Sequence, residues 1–251
     1  MSGEVRGSNP NDAMAVEGVP AAGTIIEGKY EVERLLGVGG MGVVVAARHV
    51  QLGQRVAIKF MRGIAAEDAN AVGRFLREAR SAVSLSSEHV AKVVDVGTLP
   101  DGAPFIVMEY LSGVDLGELV RQYGPMSVPD AVNAILQVCE AIAEAHSLGI
   151  IHRDLKPANL FVTRRVDGSP LVKVLDFGIS KRSDFDAALG RSTLTPSGYL
   201  MGSPAYMSPE QVRNPKAVDA RTDVWALGVI LYEVITGTAP FAGETVGETL
   251  A

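Results

Sequence analysis

The amino-acid sequence predicts an α+β protein of two lobes, a small β-rich lobe followed by a larger helical one. The first observation is a series of short runs rich in β-branched residues between positions 30 and 111. The second is a change after that region to apolar residues spaced at the period of an α-helix. We expect the N-terminal lobe at 28–108, a connecting hinge at 109–112 and the C-terminal lobe from 113 to 251.

Five strands and one helix are expected in the N-terminal lobe. The strand-like runs span 30–37, 42–50, 54–60, 91–99 and 104–111. A Pro-Asp-Gly turn at 100–102 separates the last two runs, which indicates a hairpin. Between the third and fourth runs, residues 67–86 predict a helix with Ala71, Phe75, Ala82 and Leu85 on one stripe.

The C-terminal lobe is expected to contain a long helix over 128–147, with Gly149 just past its end. Its predicted buried face consists of Val132, Ile135, Leu136, Cys139, Ile142 and Ala143. Cys139 is therefore expected to be a small core residue rather than a catalytic thiol. A second helix, over about 219–235, is apolar on nearly all sides, which is typical of a helix buried all round. Because the helices that would cover it are expected to be missing from this lobe, we expect one of its sides to face water as a contiguous apolar patch.

Composition and charge exclude some classes of protein. The net charge of −6 argues against a sequence-independent nucleic-acid binder, which would need a basic face. The single cysteine cannot form an internal disulfide and indicates a reducing compartment, so we expect a cytoplasmic protein. Residues 1–27 predict a disordered tail without the apolar block of a signal peptide, and the remaining chain has no apolar run long enough to span a membrane.

A glycine-rich segment lies between the first two predicted strands. Gly37, Gly39 and Gly42 have the spacing G-x-G-x-x-G, but a strand-forming run follows instead of the helix that a dinucleotide-binding fingerprint requires. This favours a hairpin whose backbone N–H groups lie over phosphates, with Val44 covering a base. A flexible turn without a ligand is the alternative.

Lys59 ends the third predicted strand, and Glu78 falls within the apolar stripe of the following helix. A carboxylate on an apolar face is unfavourable unless it is paired. We expect Glu78 to pair with Lys59 and so to direct the ammonium toward a phosphate. The alternative is that Glu78 lies on a solvated helix edge.

The stretch "IHRDLKPANLF" at 151–161 concentrates polar residues in a loop before a strand. If Asp167 and Gly168 form a two-residue hairpin turn, Asn159 and Asp176 face each other across the strand pair, and their oxygens suit Mg²⁺. Asp154 would then accept a proton from an attacking hydroxyl and Lys156 would neutralise phosphoryl charge. His152 is expected to be a packed structural residue.

Taken in order, the motifs "GVGGMGVV", "VAIK", "FLREAR", "HRDLKPAN", "DFG" and "SPE" resemble those of the eukaryotic-type protein kinase family, most similarly the bacterial serine/threonine kinases. The resemblance implies a protein kinase-like fold whose C-terminal lobe is truncated, ATP and Mg²⁺ (or Mn²⁺) as cofactors, and proteins as substrates. The implied catalytic residues are Asp154, Lys156, Lys59 and Glu78, and the implied metal ligands are Asn159 and Asp176. The implied nucleotide contacts are Leu36, Gly37, Val38, Gly39, Gly40, Met41, Gly42, Val43, Val44, Ala57, Lys59, Glu109, Leu111 and Phe161.

The resemblance also implies control by phosphorylation. Arg153 would pair with a phosphate on the loop from 179 to 202, where Thr193, Thr195 and Ser197 are the candidate acceptors. Two alternatives to a kinase remain: a non-catalytic scaffold that keeps the fold, and a phosphotransferase acting on a small molecule. The sequence does not indicate an oligomeric state.

Overall fold

The structure, a computed structural model, describes residues 20–39, 42–61, 68–177, 204–214, 218–241, 243 and 249. The N-terminal part is a six-stranded antiparallel sheet with strand order β1-β2-β3-β4-β6-β5 and one helix. The strands are β1 Ile25–Ile26, β2 Tyr30–Gly39, β3 Gly42–His49, β4 Arg55–Met61, β5 Val93–Thr98 and β6 Pro104–Glu109. All five predicted strands are confirmed to within a few residues.

The core of this sheet comes from the β-branched and aromatic residues of β3, β4 and β6. Val45, Ile58, Phe60 and Phe105 are at most 1% exposed and pack together on one face. Gly42 is required where β3 starts, because a Cβ there would lie 2.1 Å from the carbonyl oxygen of Phe60. The glycine thus lets the end of the hairpin approach β4 closely.

Helix α1, Ala69–Val83, packs against β5 and β6. It begins where Asp68 accepts a hydrogen bond of 2.8 Å from the backbone N–H of Asn70. Ala71, Phe75, Glu78 and Ala79 form its buried side. The helix predicted over 67–86 is confirmed, although it is shorter than expected.

The C-terminal part combines helices with a three-stranded sheet of order β7-β8-β9. Its elements are β7 Val114–Asp115, α2 Leu116–Tyr123, α3 Val128–Ser147, β8 Leu160–Arg164, β9 Pro170–Val174, α4 Pro209–Arg213 and α5 Arg221–Thr236. Short 3₁₀ turns span Pro157–Asn159 and Pro204–Tyr206. Helices α3 and α5 and strand β9 share one hydrophobic core.

Helix α3 has the predicted bounds, but only part of its predicted buried face is confirmed: Ile135 and Ile142 are buried, whereas three other residues are not. Val132 is 40% and Leu136 57% exposed, and Ala143 is exposed as well. The buried residues are Ala131, Ala134, Ile135, Gln137, Val138, Ala141, Ile142 and Ala145. The prediction selected mainly large apolar residues, whereas alanines supply four of the eight buried positions. Cys139 is half-buried against that core, as expected of a packing residue.

The register of the β8–β9 hairpin also differs from the prediction. Leu160 pairs with Val174 and Arg164 with Pro170, so the strands are offset by one residue from the expected register. The cause is a three-residue connection, 166–168, closed by a hydrogen bond from the Arg165 N–H to the Ser169 carbonyl. Gly168, at φ +87°, occupies the left-handed position of such a turn.

Helix α5 is buried on one side only within the described residues. The residues that pack in the core are Ala226, Leu227, Ile230 and Val234. Val224 and Tyr232 are exposed and, with Trp225 stacked on Phe241, line a groove of about 750 Å³. Among the described residues, this exposed apolar side is the one that the sequence analysis expects for the helix. None of the helices described here is both long and apolar enough to cross a membrane.

Candidate active site

A cavity of about 530 Å³ lies between the two parts of the protein. Strands β2 to β4 form its roof, the chain after β6 forms one edge, and β8 and the residues after β9 form its floor. The predicted site residues that line it are Leu36, Gly37, Val44, Ala57, Lys59, Glu78, Glu109, Leu111, Phe161 and Asp176. The structure thus brings together residues from seven separate segments of the chain.

Lys59 is the central charged group of the cavity and is only 8% exposed. Its Nζ lies 3.0 Å from Glu78 Oε1 and 2.7 Å from Asp176 Oδ1. The structure therefore has the expected Lys59–Glu78 contact, and Asp176 is a second partner. Each partner compensates part of the desolvation that burial imposes on the ammonium.

The pKa values of these three groups follow from burial and from their mutual charges. Burial opposes the Lys59 ammonium, but Asp176 and Glu78 outweigh it, so the pKa of Lys59 lies above its ordinary value. Burial raises the pKa of Glu78 to about 7, against the opposing effect of Lys59. Desolvation alone would raise the pKa of Asp176, yet the adjacent ammonium lowers it.

The polar loop 151–161 forms a compact hydrogen-bonded unit beside the cavity. Asn159 Nδ2 donates to the main-chain oxygen of Asp154 at 2.8 Å and to its Oδ2 at 3.2 Å. Lys156 Nζ lies 3.5 Å from the same Oδ2. The carboxylate of Asp154 is thereby held in one orientation with a cation next to it.

His152 supports this loop from within the core, where it is fully buried. Its Nε2 lies 3.1 Å from the carbonyl oxygen of Leu175, and its Nδ1 accepts a hydrogen bond of 3.2 Å from the Asp154 N–H. Both bonds are satisfied by the neutral ring with its proton on Nε2. Burial accordingly lowers the pKa of His152, although nearby Asp223, Asp154 and Asp176 act in the opposite direction.

Asp223, near the start of α5, is a site residue that the sequence analysis missed. Its carboxylate is 1% exposed and accepts from the N–H groups of His152 at 2.9 Å and Arg153 at 2.8 Å. His146 Nε2 lies 2.7 Å away and must donate, because a carboxylate only accepts. The available signal was an acidic residue at the start of an otherwise apolar helix.

A second set of hydrogen bonds connects the loop to the segment around α4. Gln211 Nε2 donates to the Arg153 carbonyl at 2.8 Å, and Thr222 Oγ1 donates to Gln211 Oε1 at 2.8 Å. The Thr222 hydroxyl also lies 2.7 Å from that of Ser208, which is fully buried. Arg153 itself has a φ of +65°, so the loop turns sharply at this residue.

Some predicted site residues do not line the cavity or lie outside the described residues. Val43 is 0% exposed and packs in the core of the sheet instead. The other described residues that are not among those lining the cavity are Val38, Gly39, Gly42, Arg153, Asp154, Lys156 and Asn159. The residues outside the described ranges are Gly40, Met41, Thr193, Thr195 and Ser197.

The fold and the cavity together define a two-lobed α+β protein with a charged cleft between its lobes. The model of the family described as "Protein kinase domain" matches residues 30–250 of this chain. The chain therefore belongs to the protein kinase domain family.

Similarity to individual proteins supports this family assignment. The serine/threonine-protein kinase pkn3 of Myxococcus xanthus is 43% identical over 223 residues, which cover 89% of this chain and 40% of the relative. PknB of Mycobacterium tuberculosis is 40% identical over 220 residues, 86% of this chain and 34% of the relative. A solved PknI kinase domain from M. tuberculosis is similar at a TM-score of 0.68 and 27% identity, covering 90% of this chain and 81% of that one. The chain thus spans two fifths or less of the length of these curated relatives.

Proposed function

We propose that this chain is the catalytic region of a serine/threonine protein kinase, which transfers the γ-phosphate of ATP to serine and threonine hydroxyls of proteins. The observation that carries the proposal is the loop in which Asn159 and Lys156 hold Asp154 beside a cavity containing the Lys59 ammonium. Phosphoryl transfer requires a positioned proton acceptor next to concentrated positive charge, and this loop supplies both.

The nucleotide is proposed to lie with its base between the two lobes. Val44 and Ala57 above and Phe161 below provide apolar surfaces for adenine, and Glu109 and Leu111 offer backbone groups along one edge. The segment from Leu36 to Val44 would cover the phosphates through its backbone N–H groups, with Lys59 at the α- and β-phosphates.

The donor set fits a hard divalent cation bound together with the nucleotide. The described residues contain no cluster of three or more His, Cys, Asp or Glu side chains able to hold a metal alone. An amide oxygen of Asn159 and a carboxylate of Asp176 match Mg²⁺, which takes few protein ligands and completes its shell with phosphate and water. When bound, the metal would neutralise phosphate charge.

In the proposed transfer, a substrate hydroxyl lies within hydrogen-bonding reach of Asp154. As the hydroxyl oxygen bonds to the γ-phosphorus, its proton passes to the Asp154 carboxylate and the bond to the leaving ADP oxygen breaks. Lys156 stands 3.5 Å from that carboxylate, where its charge would also act on the transferring group. The "HRDLKPAN" stretch with Lys156 is similar to the serine/threonine branch and supports this choice of acceptor.

Arg153 is proposed to bind a phosphate on the loop that precedes α4, because it directly adjoins Asp154 and its backbone carbonyl is held by Gln211. The proposed acceptors are Thr193, Thr195 and Ser197. Phosphopeptide mapping of active protein that finds no phosphate on these residues would rule out this mode of control.

The decisive test is transfer of radiolabelled phosphate from ATP to a generic protein substrate. The wild-type chain is expected to label serine and threonine, and Asp154→Asn to lose roughly a hundredfold or more in turnover while still binding ATP. Asp167→Asn, on the exposed hairpin turn, is the matched control. A wild-type chain that binds nucleotide but transfers nothing would instead indicate a scaffold protein.

A further inference from the structure

Four Lys, Arg, Asp or Glu side chains are buried among the described residues: Lys59, Glu78, Lys173 and Asp223. The site accounts for three of them, but Lys173, on β9, has no part in the transfer proposed above. It is only 5% exposed, although an ammonium is among the least favourable groups to bury. Such a residue is retained in a core only where its partners compensate the lost hydration.

The partners of Lys173 belong to two other segments of the chain. Its Nζ donates to Glu109 Oε1 at 2.7 Å and to the carbonyl oxygen of Val90 at 3.3 Å. The same Glu109 Oε1 accepts from the N–H of Lys92 at 2.8 Å, and the Glu109 N–H donates to the Lys92 carbonyl at 2.9 Å. One ammonium therefore joins β9, the segment 90–92 and the hinge.

These joined segments form part of the cavity wall. Val90, Glu109 and Val174 line the cavity, and Val174 directly follows Lys173. Asp176, the partner of Lys59, lies three residues beyond Lys173 on the same chain segment. The Lys173 ammonium thus lies behind the cavity wall. There it connects the hinge, which is proposed to contact adenine, with the chain segment that contains Asp176, which is proposed to bind the metal.

A second ion pair connects the same hairpin to the same region and provides a comparison. Arg165 binds Glu88 through two hydrogen bonds, of 2.8 and 3.2 Å. Here the side chains are 31% and 56% exposed and do not line the cavity. Exposed pairs of this kind contribute little to stability. Comparing variants of the two pairs therefore distinguishes the effect of attaching the hairpin at its exposed end from the effect of attaching β9 to the hinge.

We infer that Lys173 and Glu109 are a positioning pair for the nucleotide. The ion pair fixes the position of the hinge backbone relative to β9, so that the hinge can contact the adenine ring. The inference rests on the proposed function, because it takes the cavity to be the nucleotide site. Neither side chain needs to touch the ligand. Their effect is to hold hinge and β9 at one separation, so that the base and the phosphates meet their contacts together.

The test compares Lys173→Met, Glu109→Gln and the double variant with the control variants Arg165→Met and Glu88→Gln. Titration calorimetry gives the affinities for Mg-ADP and Mg-GDP, steady-state kinetics gives KM for ATP and kcat, and thermal unfolding gives Tm. Each single hinge variant is expected to weaken Mg-ADP binding roughly tenfold, a usual size for coupling between sites. KM for ATP should rise by a similar factor with little change in kcat at saturation, and the preference for ADP over GDP should fall.

The double variant distinguishes positioning from a merely structural role. It leaves no buried charge unpaired, so its Tm should return toward the wild-type value, while its Mg-ADP affinity should stay low because the hinge is still unattached. Affinity that recovers with Tm would overturn the inference, as would hinge variants that bind Mg-ADP like the Arg165 control. If Lys173→Met fails to fold, Glu109→Gln and the double variant decide the question. A wild type that binds no nucleotide would overturn the proposed function as well.

Discussion

The carboxylate of Asp223 is expected to be as important for activity as the residues that line the cavity, although it touches none of the proposed reactants. It holds the backbone N–H groups of His152 and Arg153, the two residues that precede Asp154. Replacing it by alanine removes both acceptors at once. Replacing it by asparagine leaves one acceptor oxygen and turns an amide N–H₂ group toward the other backbone donor.

The magnitude follows from these bonds. A buried donor left without a partner costs about 1–3 kcal/mol. Counting the two backbone donors alone, without His146, Asp223→Ala should therefore lower the free energy of unfolding by about 2–6 kcal/mol and Asp223→Asn by about 1–3 kcal/mol. Since a typical domain is stable by about 5–15 kcal/mol, the alanine variant loses a large share of its stability. Turnover should fall in both variants, roughly a hundredfold if the Asp154 carboxylate moves by about 1 Å.

Urea unfolding and initial rates of phosphate transfer measure the two effects separately. Asp219→Asn is the matched control, because Asp219 lies four residues away in an exposed ion pair with Arg221 and should matter little. From most to least stable, the expected order is the Asp219→Asn control, Asp223→Asn and Asp223→Ala. Asp223→Asn with the stability and turnover of the control would refute the reasoning that these bonds hold the loop.

Three further outcomes are expected. Lys59→Met should abolish phosphate transfer but leave the protein folded. Burial already raises the pKa of Glu78 to about 7, so Glu78 can take up a proton once Lys59 is lost. Near wild-type turnover of this variant would remove Lys59 from its proposed role. Asp176→Ala should weaken binding of ATP in a magnesium titration, and an unchanged affinity would count against the metal site. Because burial depresses the pKa of His152, the unfolded chain takes up a proton below pH 6.5 that the folded chain does not, so stability should fall as the pH drops below 6.5. His152→Gln should reduce this slope in unfolding experiments, and equal slopes would contradict it.

The parts of the site that follow from local patterns could be predicted from the sequence. Alternating β-branched residues predict β2 to β4, and a charged residue on an apolar helix face predicts that Glu78 has a partner. Both patterns depend only on residues that are close together in the sequence. The order of the motifs then indicated which segments would meet at the cavity.

The parts that could not be predicted depend on turn geometry and on distant contacts. Asp167-Gly168 suits a two-residue turn, but Asp167 Oδ1 accepts from the Ser169 N–H at 2.8 Å, and the connection takes three residues. This single extra residue shifts every pair in the hairpin. Asp223 meets His152 across 71 residues of sequence, and no periodicity relates two such positions.

The contact between Asp223 and His152 also determines when the loop 151–156 can become fixed during synthesis of the chain. Chains are made from the N-terminus and begin to fold as they emerge. The residues that line the cavity, from Arg34 to Phe177, precede Asp223 in the sequence. A nascent chain therefore contains all of them before Asp223, which holds the loop 151–156, has been added. The cleft can therefore form early, but the loop gains its anchor only when α5 has emerged. Limited proteolysis of chains arrested before residue 221 would show this as cleavage within 151–156 that disappears once α5 is added. The loop that carries Asp154 would thus reach its final geometry only after the residues of the cavity have been made.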